Sequence, residues 1–254
     1  MVRGLDLFKD YFKNFTNQYV LIGGAACTVV LEEAGLDFRA TKDLDIVLCV
    51  EALNSGFVEH FWGFIKKGGY KNQKKSTGKR LFYRFDDPED ASYPMMLELF
   101  SRMPDTLSLS AGSHLTPISV DEQVASLSAI LLDDDYYRFM HEGKQEIDGL
   151  SVVSPQYLIP LKARAWLDLT GRRDAGEHID DKDIRKHKND VFKLFRIITP
   201  ADSVVLPGTI GHDLGRFLDA MAEDTSLNLP ALKLRSTTLE DVLVALRKIY
   251  GINS

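Results

Sequence analysis

The chain has 254 residues, 44% hydrophobic and 27% charged, with 9 prolines and 18 glycines; it is long enough to bury a sizeable core and too apolar for a disordered or collagen-like polymer. Its 37 acidic and 31 basic residues leave a net charge of −6, which excludes a globally basic nucleic-acid coat but leaves room for a local basic face. Two cysteines, Cys27 and Cys49, cannot build a disulfide framework or, alone, a zinc site, and their apolar surroundings read as buried free thiols.

In chain order, the first stretch mixes charge with aromatics and has no continuous apolar core of the secretory-signal kind. Tyr19 to Ile22 reads as a short strand that ends in Gly23-Gly24, and Ala25 to Ala34 as a helix closed by Gly35. Leu44 to Val50 has the β-branched, nearly continuous apolarity of a central strand. Glu51 to Lys67 spaces Leu53, Phe57, Phe61, Phe64 and Ile65 for an amphipathic helix, with Gly68-Gly69 as its stop. Leu81 to Phe85 and Pro94 to Phe100 are two further strands, joined by a polar loop from Asp86 to Ser92, and Thr116 to Val120 is a last short strand.

From Asp121 the pattern turns helical. One helix carries Val124, Leu127, Ile130 and Leu131; the next starts at Ser154-Pro155 and runs to Thr170, with Pro160 placed early enough to tighten its first turn. Further helices are expected over Asp181 to Ile198, His212 to Glu223 and Thr238 to Tyr250. The expected architecture is α/β (α+β). A mixed sheet with flanking helices spans residues 1–118, and a mostly helical part spans 119–254. No run approaches the roughly 18 apolar residues of a membrane span, so the expected setting is cytoplasmic, with no membrane partner.

Three acidic residues carry the chemistry. Asp43 and Asp45 stand two apart at the start of a strand, so both point to one face. Two like charges beside an apolar stretch are expensive unless a cation neutralises them. Glu98, within PMMLELF, repeats the problem. Together the three carboxylates would make a hard oxygen site for Mg2+ or Mn2+. Upstream, the strand, Gly23-Gly24 and the helix form a turn whose backbone N–H groups suit a phosphate. Each piece also has a plainer meaning: a solvated strand edge, a tight turn, a salt-bridge partner for Glu98. Their order along the chain is what narrows the choice. The six histidines (60, 114, 141, 178, 187 and 212) show no zinc spacing.

The segment YVLIGGAACTVVLEEAGLDFRATKDLDIVL resembles the signature of the polymerase β-type nucleotidyltransferase superfamily. More narrowly, Arg39-Ala40-Thr41-Lys42-Asp43-Leu44-Asp45 resembles the Arg-x-Thr-x-Asp-hydrophobic-Asp stretch of AbiEii/AbiGii-type nucleotidyltransferase toxins of type IV toxin–antitoxin systems. The resemblance extends over roughly residues 18 to 200. It matches Lys162 in LIPLKARAWL to that group's helix lysine and Asp190 in KHKNDVFKLF to its later acidic motif. Two departures stand out: Gly23-Gly24 replaces the usual Gly-Ser, and the stretch before Asp190 lacks a preceding acidic residue.

The resemblance implies an enzyme that transfers NMP from an NTP to an acceptor hydroxyl, with RNA (a tRNA end) as acceptor and growth inhibition as outcome, and a cognate antitoxin as a possible partner. It implies that Asp43, Asp45 and Glu98 hold the metal, and that Glu98 draws the proton from the acceptor. Gly23, Gly24 and Lys162 would bind the triphosphate. Asp190 would join the catalytic set, and Arg39 and Thr41 would position phosphate or orient the carboxylates. From Lys66 to Arg80 seven basic residues occur without an acidic one, expected to form a flexible loop suited to a polyanion. Lys182, Arg185, Lys186, Lys188, Lys193 and Arg196 make a second basic stretch. Two alternatives stay open: a small-molecule (antibiotic-type) nucleotidyltransferase, kept alive by Asp133-Asp134-Asp135 before Tyr136-Tyr137, and an inert nucleotide- or RNA-binding regulator.

Overall fold

A computed structural model describes residues 2–39, 41–49, 54–76, 81–101, 116–118 and 133–252. The helix expected from Asp121 lies outside these residues. The chain clusters into two compact units, residues 1–132 with 144–153, and residues 133–143 with 154–254.

The first unit is a mixed α/β sheet unit. Its helices are α1 (Leu5–Phe12), α2 (Gly23–Glu33) and α3 (Ser55–Gly68). Its strands are β1 (Tyr19–Leu21), β2 (Asp43–Leu48), β3 (Tyr70–Ser76), β4 (Leu81–Pro88), β5 (Met96–Ser101), β6 (Thr116–Ile118), β7 (Lys144–Ile147) and β8 (Leu150–Val153). They form one eight-stranded sheet in the order β6-β3-β4-β5-β2-β1-β8-β7. The pairs β2–β5, β1–β8 and β3–β6 are parallel, and the others antiparallel.

One face of the sheet is aromatic. Leu5, Phe8 and Phe12 recur at helical spacing and are buried, which makes α1 an amphipathic helix. Phe8 packs on Tyr19 and Phe64, with ring centroids 5.4 and 5.9 Å apart, and Phe61 packs on Phe85 at 5.5 Å. Burying each such ring stabilises the fold by about 1.5–3 kcal/mol. Asn54 caps α3 by accepting from the Phe57 N–H at 2.9 Å, and Gly69 ends it in the left-handed conformation, φ 62°. The glycine stop expected there is therefore a left-handed cap.

The basic stretch expected to be a flexible loop is, over residues 70–76, strand β3, paired with β4. The polar loop expected from Asp86 starts later, because β4 continues to Pro88. Hairpin β7–β8 turns through Asp148 and Gly149, both at positive φ (47° and 74°). That is the geometry an Asp-Gly two-residue turn favours. The hairpin follows a helix of the second unit in the chain, yet it adds β8 beside β1.

The second unit is helical: α4 (Asp134–Glu142), α5 (Pro155–Asp174), α6 (Asp181–Phe195), α7 (Gly208–Ala222) and α8 (Leu239–Ile249). Pro160 lies in the second turn of α5 rather than the first. Having no N–H, it leaves the carbonyl of Gln156 without its helical partner. The Tyr250 hydroxyl donates to that carbonyl at 2.6 Å. Among the described residues, no helix is long and apolar enough to cross a membrane.

Candidate active site

The site is built on alternation in β2. Leu44 and Ile46 turn to the core and are buried, so Asp43 and Asp45 share the opposite face, half-buried. The parallel register sets Asp45 beside Glu98 of β5, and the antiparallel register sets Glu98 beside Arg84 of β4. Arg84, Glu98 and Asp45 thus form a row across three adjacent strands.

The glycine turn packs onto the end of this row. Gly23 has φ +63°, and a Cβ there would collide with the Asp45 carboxylate. The Gly24 N–H donates to Asp45 Oδ2 at 3.4 Å, and the Ile22 N–H to the Asp45 carbonyl at 3.0 Å. A Cβ on Gly24 would collide with the Thr41 hydroxyl, with the Arg39 guanidinium just beyond. Both glycines therefore make room: Gly23 for Asp45, Gly24 for Thr41 and Arg39. The first turn of α2, with its orphan N–H groups and positive dipole end, lies against a carboxylate, a hydroxyl and a guanidinium. Arg39 also sits 5.0 Å from the centroid of the Phe38 ring.

Glu98 is buried, at 7% exposure. Arg84 donates to its Oε1 from Nε at 2.9 Å and from Nη2 at 2.7 Å. Burial, then the charge and hydrogen bond of Asp45, push the Glu98 carboxyl up to about 9, against the pull of Arg84. The Asp45–Glu98 pair thus holds a proton at neutral pH. Arg84 is a residue the sequence reading passed over. Its signal was present: a charged residue alternating with aromatics in LFYRF, one hairpin away from the buried Glu98.

Among the described residues, no three His, Cys, Asp or Glu side chains gather into a group that could hold a metal ion. The sequence expectation of three carboxylates around one site thus meets a Glu98 turned to Arg84 and Asp45. The donor chemistry nevertheless fits a hard divalent cation. Mg2+ is commonly held by one or two carboxylates plus substrate phosphates and waters. Asp43 and Asp45 offer two such carboxylates on one strand face.

Lys162 of α5 and Asp190 of α6 pair with each other inside the second unit, at 3.0 Å. Lys162 is 5% exposed and Asp190 fully buried, so the lysine does not reach out to solvent as a surface lysine would. Either charge alone at that depth would cost several kcal/mol. In the second basic stretch, Lys182, Lys186 and Lys188 each pair with an acid, Asp180, Asp183 and Asp224. The acidic run before Tyr136 is also engaged. Asp133 caps α4 through the N–H groups of Asp135 and Tyr136, and Asp135 holds Arg138 and Thr209. Tyr136 donates to the buried Asp213 at 2.9 Å.

No protein-family model matches the chain, and no curated protein matches it. Among solved structures, it is similar to the crystal structure of an antigenic nucleotidyltransferase-like protein from Paracoccidioides brasiliensis. The two are 14% identical, with a TM-score of 0.40, over 94% of this chain and 97% of that chain.

Proposed function

We propose that this protein is a metal-dependent nucleotidyltransferase that moves NMP from an NTP to an acceptor hydroxyl. The observation that carries this reading is the strand face of Asp43 and Asp45 closed over by the Gly23-Gly24 turn, with the Gly24 N–H directed at Asp45. Asp43 and Asp45 would hold Mg2+ or Mn2+. The bound ion would supply Lewis-acid stabilisation of the attacking and leaving oxygens of the transferred phosphoryl group. The chain's own residues would do the rest. The amides at the start of α2, with Arg39 and Thr41 beside them, would orient the phosphates. Asp45, fixed by its contacts to Ile22 and Gly24, would keep its carboxylate in place. Glu98, protonated beside Asp45 in the cation-free site, would give up that proton as a cation neutralises the charge around it and could then accept one from the acceptor hydroxyl.

The AbiEii/AbiGii-like stretch Arg39 to Asp45 supports RNA as acceptor, and a growth-inhibiting toxin with a cognate antitoxin as the setting. β3 adds to this support. It carries Lys71, Lys74 and Lys75, with Lys74 in register with Arg84; Lys79 and Arg80 lie outside the described residues. The small-molecule alternative rested on the run Asp133 to Tyr137; of these, the side chains of Asp133, Asp135 and Tyr136 cap and pair within the second unit.

The acceptor class is tested by incubating the protein with each α-labelled NTP, Mg2+ or Mn2+, and total RNA, with an antibiotic panel in parallel. The expected result is label that enters RNA and is released by ribonuclease. Label entering only small molecules would favour the alternative acceptor, and no incorporation with any of the four nucleotides would favour the inert regulator.

A further inference from the structure

The row Arg84–Glu98–Asp45 holds a feature that nucleotidyl transfer alone does not explain. A guanidinium facing a carboxylate commonly makes a two-pronged pair, one N–H to each oxygen. Here both donors, Nε and Nη2, go to a single oxygen, Glu98 Oε1. Glu98 is also the residue whose other strand neighbour is Asp45. The side chains of Arg84 and Glu98 are only 18% and 9% exposed, so solvent does little to loosen the grip. Adjacent strands lie about 4.8 Å apart, so the orientation of Glu98 bears directly on the space beside Asp45.

We propose that Arg84 is a positioning residue: by holding Glu98 through one oxygen, it fixes the carboxyl that borders Asp45 and so shapes the cation site. The inference rests on the nucleotidyltransferase reading of Asp43 and Asp45. Arg84 acts through Glu98, with two of its donors already committed there. Partners that orient a metal site from behind typically contribute ten- to a hundredfold to metal affinity.

The test reads cation binding directly, without nucleotide or turnover, as the loss of the free Mn2+ electron paramagnetic resonance signal on titration with protein. Arg84→Gln should bind Mn2+ about tenfold or more weakly than wild type, and Arg84→Lys, which keeps the charge but not the fork, should fall between them. On the Glu98→Gln background, Arg84→Gln should cause no further loss, because the residue it acts through is already changed. Circular dichroism checks the fold; should Arg84→Gln fail to fold, Arg84→Lys carries the comparison and must still bind more weakly than wild type. Wild-type Mn2+ affinity in the folded Arg84 variants, or losses that multiply with Glu98→Gln, would overturn the positioning role. Asp45→Asn separates the two claims. If it abolishes Mn2+ binding while the Arg84 variants bind normally, only the Arg84 inference falls. If Asp45→Asn binds Mn2+ as wild type does, the cation reading falls and takes the inference with it.

Discussion

Glu98 shows how one residue's surroundings set its protonation. An unfolded glutamate releases its proton near 4.5, whereas in the fold burial and the neighbouring Asp45 hold it to about 9. Between those values the folded chain binds more protons than the unfolded one, so stability falls as pH rises across that window, by at most roughly 1.4 kcal/mol per pH unit. Glu98→Gln has no proton to lose. With divalent cations chelated, the melting temperature of the variant relative to wild type should therefore climb from pH 5 to pH 8. Thermal melts at both values check this, and parallel curves would contradict it. The sequence had marked Glu98 as a buried acid in need of a partner, and salt bridging was one of its plain readings. The charged residue in LFYRF was visible too, but its pairing with Glu98 depends on the β4–β5 register, which is a tertiary property.

At the scale of single elements, the apolar period was the most readable signal. β2, α3, α5 and α6 follow it, and their caps at Asn54, Gly69 and Asp180 are local chemistry that a linear chain displays. The elements that went unread were short or polar. α1 spans 8 residues, β3 is mostly lysine, asparagine and glutamine, and β7 has little apolar content. Packing by neighbours holds such segments in place, and intrinsic preference contributes little. The Asp148-Gly149 turn was a legible hairpin signal. Pro160 is the clearest case of a local rule resolved at a distance, because Tyr250, far along the chain, fills the carbonyl that the proline leaves open. Tyr250→Phe should cost about 0.5–1.5 kcal/mol, the net contribution of a hydrogen bond to a half-buried carbonyl. On a Pro160→Ala background, where the restored backbone N–H can bond the Gln156 carbonyl itself, the same change should cost much less. A double-mutant cycle by urea denaturation measures the coupling; additive losses would show that the hydroxyl and the proline are unrelated.

For the molecule as a whole, the mixed α/β sheet was legible from the strand and helix periods of the first half, whereas the two compact units are residues 1–132 with 144–153 and residues 133–143 with 154–254. The place of hairpin β7–β8 in the sheet, with β8 beside β1, was not legible, since the hairpin returns to the sheet after the helical pattern has begun. Within the first unit, the glycine turn, Thr41, Arg39, Asp45 and Glu98 converge from separate elements, while Lys162 and Asp190 pair within the second. The central claim is nucleotidyl transfer at Asp43 and Asp45. Its most direct measurement compares NTP labelled at the α-phosphate with NTP labelled at the γ-phosphate, in wild type and Asp45→Asn, with Mg2+ or Mn2+ and RNA present. The α-label should join the acceptor and the γ-label should leave as pyrophosphate, and Asp45→Asn should slow both by on the order of a hundredfold or more. Transfer of the γ-label to the acceptor, or α-label transfer undiminished in Asp45→Asn, would contradict the account.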